Sequence, residues 1–93
     1  MLVTELKGHT LAVTSVDWKT MADGRQYFLS CSDDDTVRVY DPRDDKFELL
    51  FIMDTKFITE WHTLTYMSME ERGSHVAVVS ENGYLFLWDL LDN

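Results

Sequence analysis

Cysteine and proline each occur once in the 93 residues, glycine four times, and lysine plus arginine eight times against seventeen acidic residues. Each scarcity excludes something. A lone Cys31 allows no intrachain disulfide and no metal site built on cysteines. Set in an apolar run, Cys31 reads as a small buried residue of a reducing compartment. The net charge of −9 disfavours nucleic acid as a direct partner, because phosphate binding needs a basic surface. No run of about 18 apolar residues is present, so no membrane-spanning helix is expected. Met1 to Lys7 lacks the basic start and long apolar core of a signal peptide.

What is present suits one small globular domain. The hydrophobic fraction is 45%, which argues against disorder, and aromatics at 13% suit a β-rich core. The stretch Ser30 to Asp41 reads as strand, acidic turn, strand. Asp33, Asp34 and Asp35 form turns readily. Thr36 to Tyr40 then alternates, with Val37 and Val39 on one face. Val76 to Asp89 repeats the pattern around Asn82-Gly83, a strong hairpin signal. Both copies end in an aromatic followed by Asp, and Tyr40 and Trp88 lie 48 positions apart. A period of that size points to repeated β-units.

In chain order, strands are expected at Leu2–Leu6, Val13–Trp18, Gln26–Ser32, Thr36–Asp41, Phe47–Met53, Leu64–Met69, His75–Ser80 and Tyr84–Asp89. Alternation puts Val13, Ser15 and Asp17 opposite Thr14, Val16 and Trp18. It likewise puts Leu64, Tyr66 and Ser68 opposite Thr65, Met67 and Met69. Pro42 ends its strand, and residues 41–46 form an exposed charged loop. Residues 54–60 link the two units. A helix over Thr63–Arg72 is the competing reading there, since Met and Glu favour helix. Trp88, closing an apolar strand, is expected to be largely buried.

These residues resemble the WD-repeat family, whose repeats are blades of a β-propeller. In the first copy Gly8-His9, the apolar Val13, Val16 and Trp18, then Ser32, Asp34 and Tyr40-Asp41 match its pattern, with Tyr for Trp. The second copy keeps Ser80 and Trp88-Asp89, with Asn82 in the turn. The resemblance implies an all-β fold of two blades, four-stranded antiparallel sheets belonging to a larger propeller. Residues 7–54 make the first blade and 59–93 a second blade lacking its outer strand. Residues 1–6 make the outer strand of a preceding or neighbouring blade. Further blades in the same chain or in other copies are therefore expected as partners.

The same resemblance implies that His9, Ser32, Asp34 and Tyr40, with Ser80 and Trp88, form a structural hydrogen-bond network. The rival reading is a hydrolase using His9 and Ser32, but no Gly-rich nucleophile elbow surrounds Ser32. Asp33 to Asp35 lack the spaced oxygens of a calcium loop, and His62 and His75 lack metal partners at suitable spacing. No metal or cofactor is expected. Tyr40-Asp41-Pro42-Arg43 resembles the aromatic-Asp-x-Arg box of propeller proteins that recruit substrates to cullin-RING ubiquitin ligases, in which the Arg meets the adaptor. The expected function is a non-enzymatic scaffold for partner proteins, with a ligase substrate receptor as the alternative. Partner contact is assigned to Tyr40, Asp41 and Arg43. An intracellular site, cytoplasmic or nuclear, is expected.

Overall fold

The computed structural model describes residues 1–56, 64–70 and 72–90. Among the described residues, seven strands form two antiparallel sheets. The first sheet runs in chain order: β1 (Val13–Thr20), β2 (Gln26–Ser32), β3 (Thr36–Asp41) and β4 (Glu48–Asp54). The second holds β5 (Leu64–Met69), β6 (His75–Ser80) and β7 (Leu85–Asp89), again in chain order. Every connection within a sheet is a hairpin, as expected when turn residues separate β-prone runs. The helical alternative for Thr63–Arg72 is overturned at Leu64–Met69, which pairs with β6. Packing of alternate apolar side chains outweighs the helix preference of Met and Glu. The linker residues 57–60, His62 and the outermost residues of the 59–93 blade fall outside the described residues.

The repeat is exact in register. Phe28 faces Tyr40, Ser30 faces Arg38 and Cys31 faces Val37 across β2 and β3. Forty-eight positions on, Val76 faces Trp88, Val78 faces Phe86 and Val79 faces Leu85 across β6 and β7. Asp35 and Gly83, also 48 apart, close the two turns with φ of 68° and 98°. Their amides donate to the carbonyls of Ser32 and Ser80. Asp and Gly are the residues that tolerate this left-handed backbone.

Each sheet opens with a bulge that corrects the simple alternation. The register shifts between Val13 and Ser15, and between Leu64 and Tyr66. One extra residue moves a side chain to the other face. Leu64 therefore leaves the expected company of Tyr66 and joins Met67 and Met69 in the core, while Tyr66 is exposed. Val13 likewise shares a cavity with Val16, Phe28 and Tyr40 instead of facing with Ser15.

The sheets pack face to face. Leu29, Cys31, Val37, Val39 and Met53 of the first sheet form one core with Leu64, Met67, Met69, Val76 and Val78 of the second. Phe51, Phe86 and Trp88 pack against it. Each fully buried aliphatic here contributes about 1.5–3 kcal/mol. Between the sheets, Thr14 Oγ1 donates to the Leu64 carbonyl at 2.7 Å, tying β1 to β5. Arg25 Nη2 donates to the Arg72 carbonyl at the far end of the same seam.

Leu2–Leu6 pairs with neither sheet and forms no strand, and most of its side chains are exposed. A short extended run without a ladder partner has nothing to hold it as a strand. The fourth strand begins at Glu48, one residue later than expected, after a 3-10 turn at Arg43–Asp45. Phe47, at φ 51°, is in the left-handed region rather than an extended one. In the second unit the last strand starts at Leu85, because Tyr84 donates its amide to Ser80 Oγ within the turn.

Candidate functional site

Asp34 is the hub of the polar residues singled out from the sequence. The turn after β2 points its carboxylate back under the chain that precedes β1. One oxygen accepts from His9 Nδ1 at 3.0 Å and from the Thr10 amide at 3.0 Å. The other accepts from the amide and the hydroxyl of Thr36. Burial pushes the Asp34 pKa up, but the Thr36 hydroxyl, the Thr10 amide, His9 and the Thr36 amide outweigh it. The carboxyl is held well below the ordinary carboxylate range.

These partners fix the His9 ring. With Nδ1 donating to Asp34, Nε2 of the neutral ring accepts from the Ser30 hydroxyl at 2.7 Å. Ser30, not Ser32, is thus the serine against His9. Ser32 is fully buried. Its Oγ donates to the Leu11 carbonyl at 3.2 Å and accepts from the Asp34 amide at 3.0 Å. It ties the turn to the entry of β1 and presents no nucleophile. Ser30 and Thr36 were not singled out from the sequence. The period of two was the available signal for Ser30, since it lies on the same face of β2 as Phe28.

Tyr40 is buried beside this cluster and packs its ring against Phe28, 6.2 Å between centroids. Among the described residues it makes no side-chain hydrogen bond to the network. The network therefore closes through His9, Asp34, Ser30 and Thr36. In the second sheet Ser80 and Trp88 are not brought together among the described residues. Ser80 Oγ donates to Asn82 Oδ1 at 2.8 Å within its own turn. Trp88 is only half-buried, less than expected, because its ring edges the core at the last strand. Its Nε1 is buried without a partner among the described residues. By register Val78 stands where the first sheet has Ser30, so the second sheet lacks that hydroxyl.

Arg43 lies at the exit of β3. Its amide donates to Asp41 Oδ1 at 3.0 Å and its Nε to Asp41 Oδ2 at 2.7 Å. Asp41 is drawn below its usual pKa range by these bonds, and the Arg43 pKa rises in return. The guanidinium is 81% exposed while the Asp41 side chain that anchors it is 14% exposed. Asp23 and Arg25 make the same two-residue clamp, as do Glu70 and Arg72. Arg25 and Arg43 flank a cavity of about 300 Å³ with Tyr27 and Leu50.

No cluster of three or more His, Cys, Asp or Glu is placed to hold a metal ion among the described residues. Asp33 and Asp34 diverge, one to solvent and one into the network. His75 lies near Asp89, 3.7 Å apart, with its Nδ1 at 2.9 Å from Ser74 Oγ.

Two packed antiparallel sheets, identical in the register of a hairpin that ends in each on an aromatic-Asp pair, define a β-repeat protein built of blades. Residues 1–41, through the end of β3, match the family model described as WD domain, G-beta repeat. That part of the chain, less than half of its length, is similar to a WD repeat. No curated protein and no solved structure matches the chain.

Proposed function

We propose that this chain is a protein-interaction module that presents partner proteins with loops held on rigid blades. WD repeats generally serve as protein-interaction scaffolds, which fits the match over residues 1–41. The observation that carries the reading is where the polar side chains go. His9, Ser30, Ser32 and Asp34 are occupied in bonds that tie the β2–β3 turn to the segment before β1. Such a network stiffens the blade and leaves no exposed nucleophile beside its histidine. Exposed charged groups such as Arg43, Asp44 and Asp45 lie in a connecting loop, where recognition by a rigid scaffold takes place.

A narrower reading rests on Arg43. Its guanidinium is exposed and held by Asp41, a preorganised donor for a carboxylate or carbonyl of a partner. This supports a substrate-receptor role in a cullin-RING ubiquitin ligase, with Arg43 against the adaptor. Titration of the purified adaptor with the chain and with Arg43→Ala tests it. Binding by the chain, reduced at least tenfold in the variant, is expected. No adaptor binding by the unsubstituted chain removes the narrower reading. Affinity capture that recovers no specific protein partner removes the broader one.

A further inference from the structure

We infer that a second copy of this chain docks on it head to tail, repeating between molecules the contact that joins the two sheets within one. The argument rests on the internal repeat and goes beyond the partner-binding reading above.

The contact within the chain has two unlike sides. The first sheet contributes the face that carries Leu29, Cys31, Val37 and Val39. The second contributes the opposite kind of face, carrying Leu64, Met67, Met69, Val76 and Val78, with Trp88 at its edge. Each side has a repeat-mate that is uncovered. Residues of β2 and β3 map onto β6 and β7 at an offset of 48, and residues of β1 onto β5 at 51. Val37 and Val39 are fully buried, and their mates Leu85 and Leu87 are each 70% exposed. Leu64, Met67 and Met69 are buried, and their mates Val13, Val16 and Trp18 are each more than half exposed. On the first sheet Ser30 and Tyr40, the mates of Val78 and Trp88, are already buried, so its open part is the β1 side. The exposed parts of both faces are apolar, and both have their complement on the other sheet of the same molecule.

A heterologous contact of this kind needs two different surfaces, and one copy supplies both. A second copy placed on Leu85 and Leu87 as the second sheet is placed on Val37 and Val39 covers the open face of each. The polar seam repeats as well. Thr14 Oγ1 donates to the Cys31 carbonyl at 3.2 Å within its sheet and to the Leu64 carbonyl at 2.7 Å across the seam. Its mate Thr65 makes the first of these bonds, to the Val79 carbonyl at 3.4 Å. In the docked pair Thr65 Oγ1 donates to the Val13 carbonyl of the second copy.

The apolar character of the exposed faces favours this occupant over an unrelated polar partner. The Tyr66, Leu85 and Leu87 face is apolar at its centre, and Arg38, half-buried, is the charged residue in the middle rows of the opposite face. Contact is therefore dominated by apolar burial. Each copy carries a net charge of −9, so association strengthens as salt screens the repulsion.

Sedimentation velocity of the 93-residue chain tests the proposal, with Trp18→Glu blocking one face and Leu87→Glu the other. Both side chains are largely exposed, and circular dichroism checks that each variant keeps its β-signal. If Leu87→Glu loses it, Tyr66→Glu serves instead. The unsubstituted chain is expected to associate with rising concentration. Each variant alone is expected to be monomeric, and their mixture to form a 1:1 complex through the two intact faces. Thr65→Val is expected to weaken association roughly fivefold, the effect of one hydrogen bond. A monomer at every concentration overturns the proposal and indicates that some other sheet covers these faces. So does a mixture that fails to pair, or a single-face variant that still self-associates.

Discussion

Asp34 shows how one side chain can organise a blade. It accepts four hydrogen bonds from three residues, two of them before β1 and one at the start of β3. Removing it leaves buried donors without partners, a loss of about 1–3 kcal/mol. Asp34→Ala is therefore expected to melt well below Asp33→Ala, whose side chain is exposed; equal melting points would deny Asp34 its role. The pH dependence follows from the depressed carboxyl pKa. Unfolded, the group titrates near 3.8; folded, it titrates lower. Its contribution is complete above about pH 4 and is lost as pH falls from there toward the lower native value. Asp34→Asn should flatten the acid limb of the stability curve, measured by urea unfolding at stepped pH. Trp88, half-buried with an unpartnered indole N–H, should cost about 3 kcal/mol on truncation to Ala, the low end for a large aromatic. Thermal melting unchanged from the parent chain would place Trp88 outside the core.

At the level of elements, the hairpin turns decide register. Asp35 and Gly83 occupy the same left-handed position in the two turns. A Cβ at Gly83 meets no atom within 4 Å, so substitution there acts through the backbone alone. Gly83→Ala is expected to cost about 1 kcal/mol, read from chemical denaturation, with strand content unchanged. A neutral result would mean that the turn relaxes out of its left-handed form. The β1 and β5 bulges act in the same way on a larger scale. One unpaired residue at each transfers Val13 to the open face and Leu64 to the core. A bulge is set by the pairing of two strands, so a single strand read alone could not show it.

For the whole molecule, the controlling feature is that each sheet buries one face against the other and leaves apolar side chains exposed on its second face, Val16 and Trp18 on the first sheet and Leu85 and Leu87 on the second. Trp18, Phe28 and Phe47 form an edge-to-face aromatic cluster on the open side of the first sheet, with centroids 5.6 to 5.7 Å apart. Burial of such surfaces between copies couples folding to association, so the melting temperature should rise with protein concentration. Scanning calorimetry over a wide concentration range measures this. A melting temperature independent of concentration would show that the isolated two-sheet unit is the folding unit.

The seven strands from Val13 on, the 48-residue repeat, the acidic turn and the Arg43 loop were legible along the chain, because they depend on near neighbours: alternation, turn chemistry and the placing of Pro42. The strand expected at Leu2–Leu6 was not borne out. The choice of Ser30 over Ser32 as the partner of His9 was not legible. That choice depends on which side of β2 lies beneath the segment before β1, a relation between residues 21 positions apart. The faces taken by Val13 and Leu64, and the indole of Trp88 left without a partner among the described residues, likewise depend on pairing and packing. Local pattern specifies which residues extend and turn. Only contact between distant strands decides which side of each strand is inside, because a one-residue shift reverses both faces with almost no change in local sequence preference.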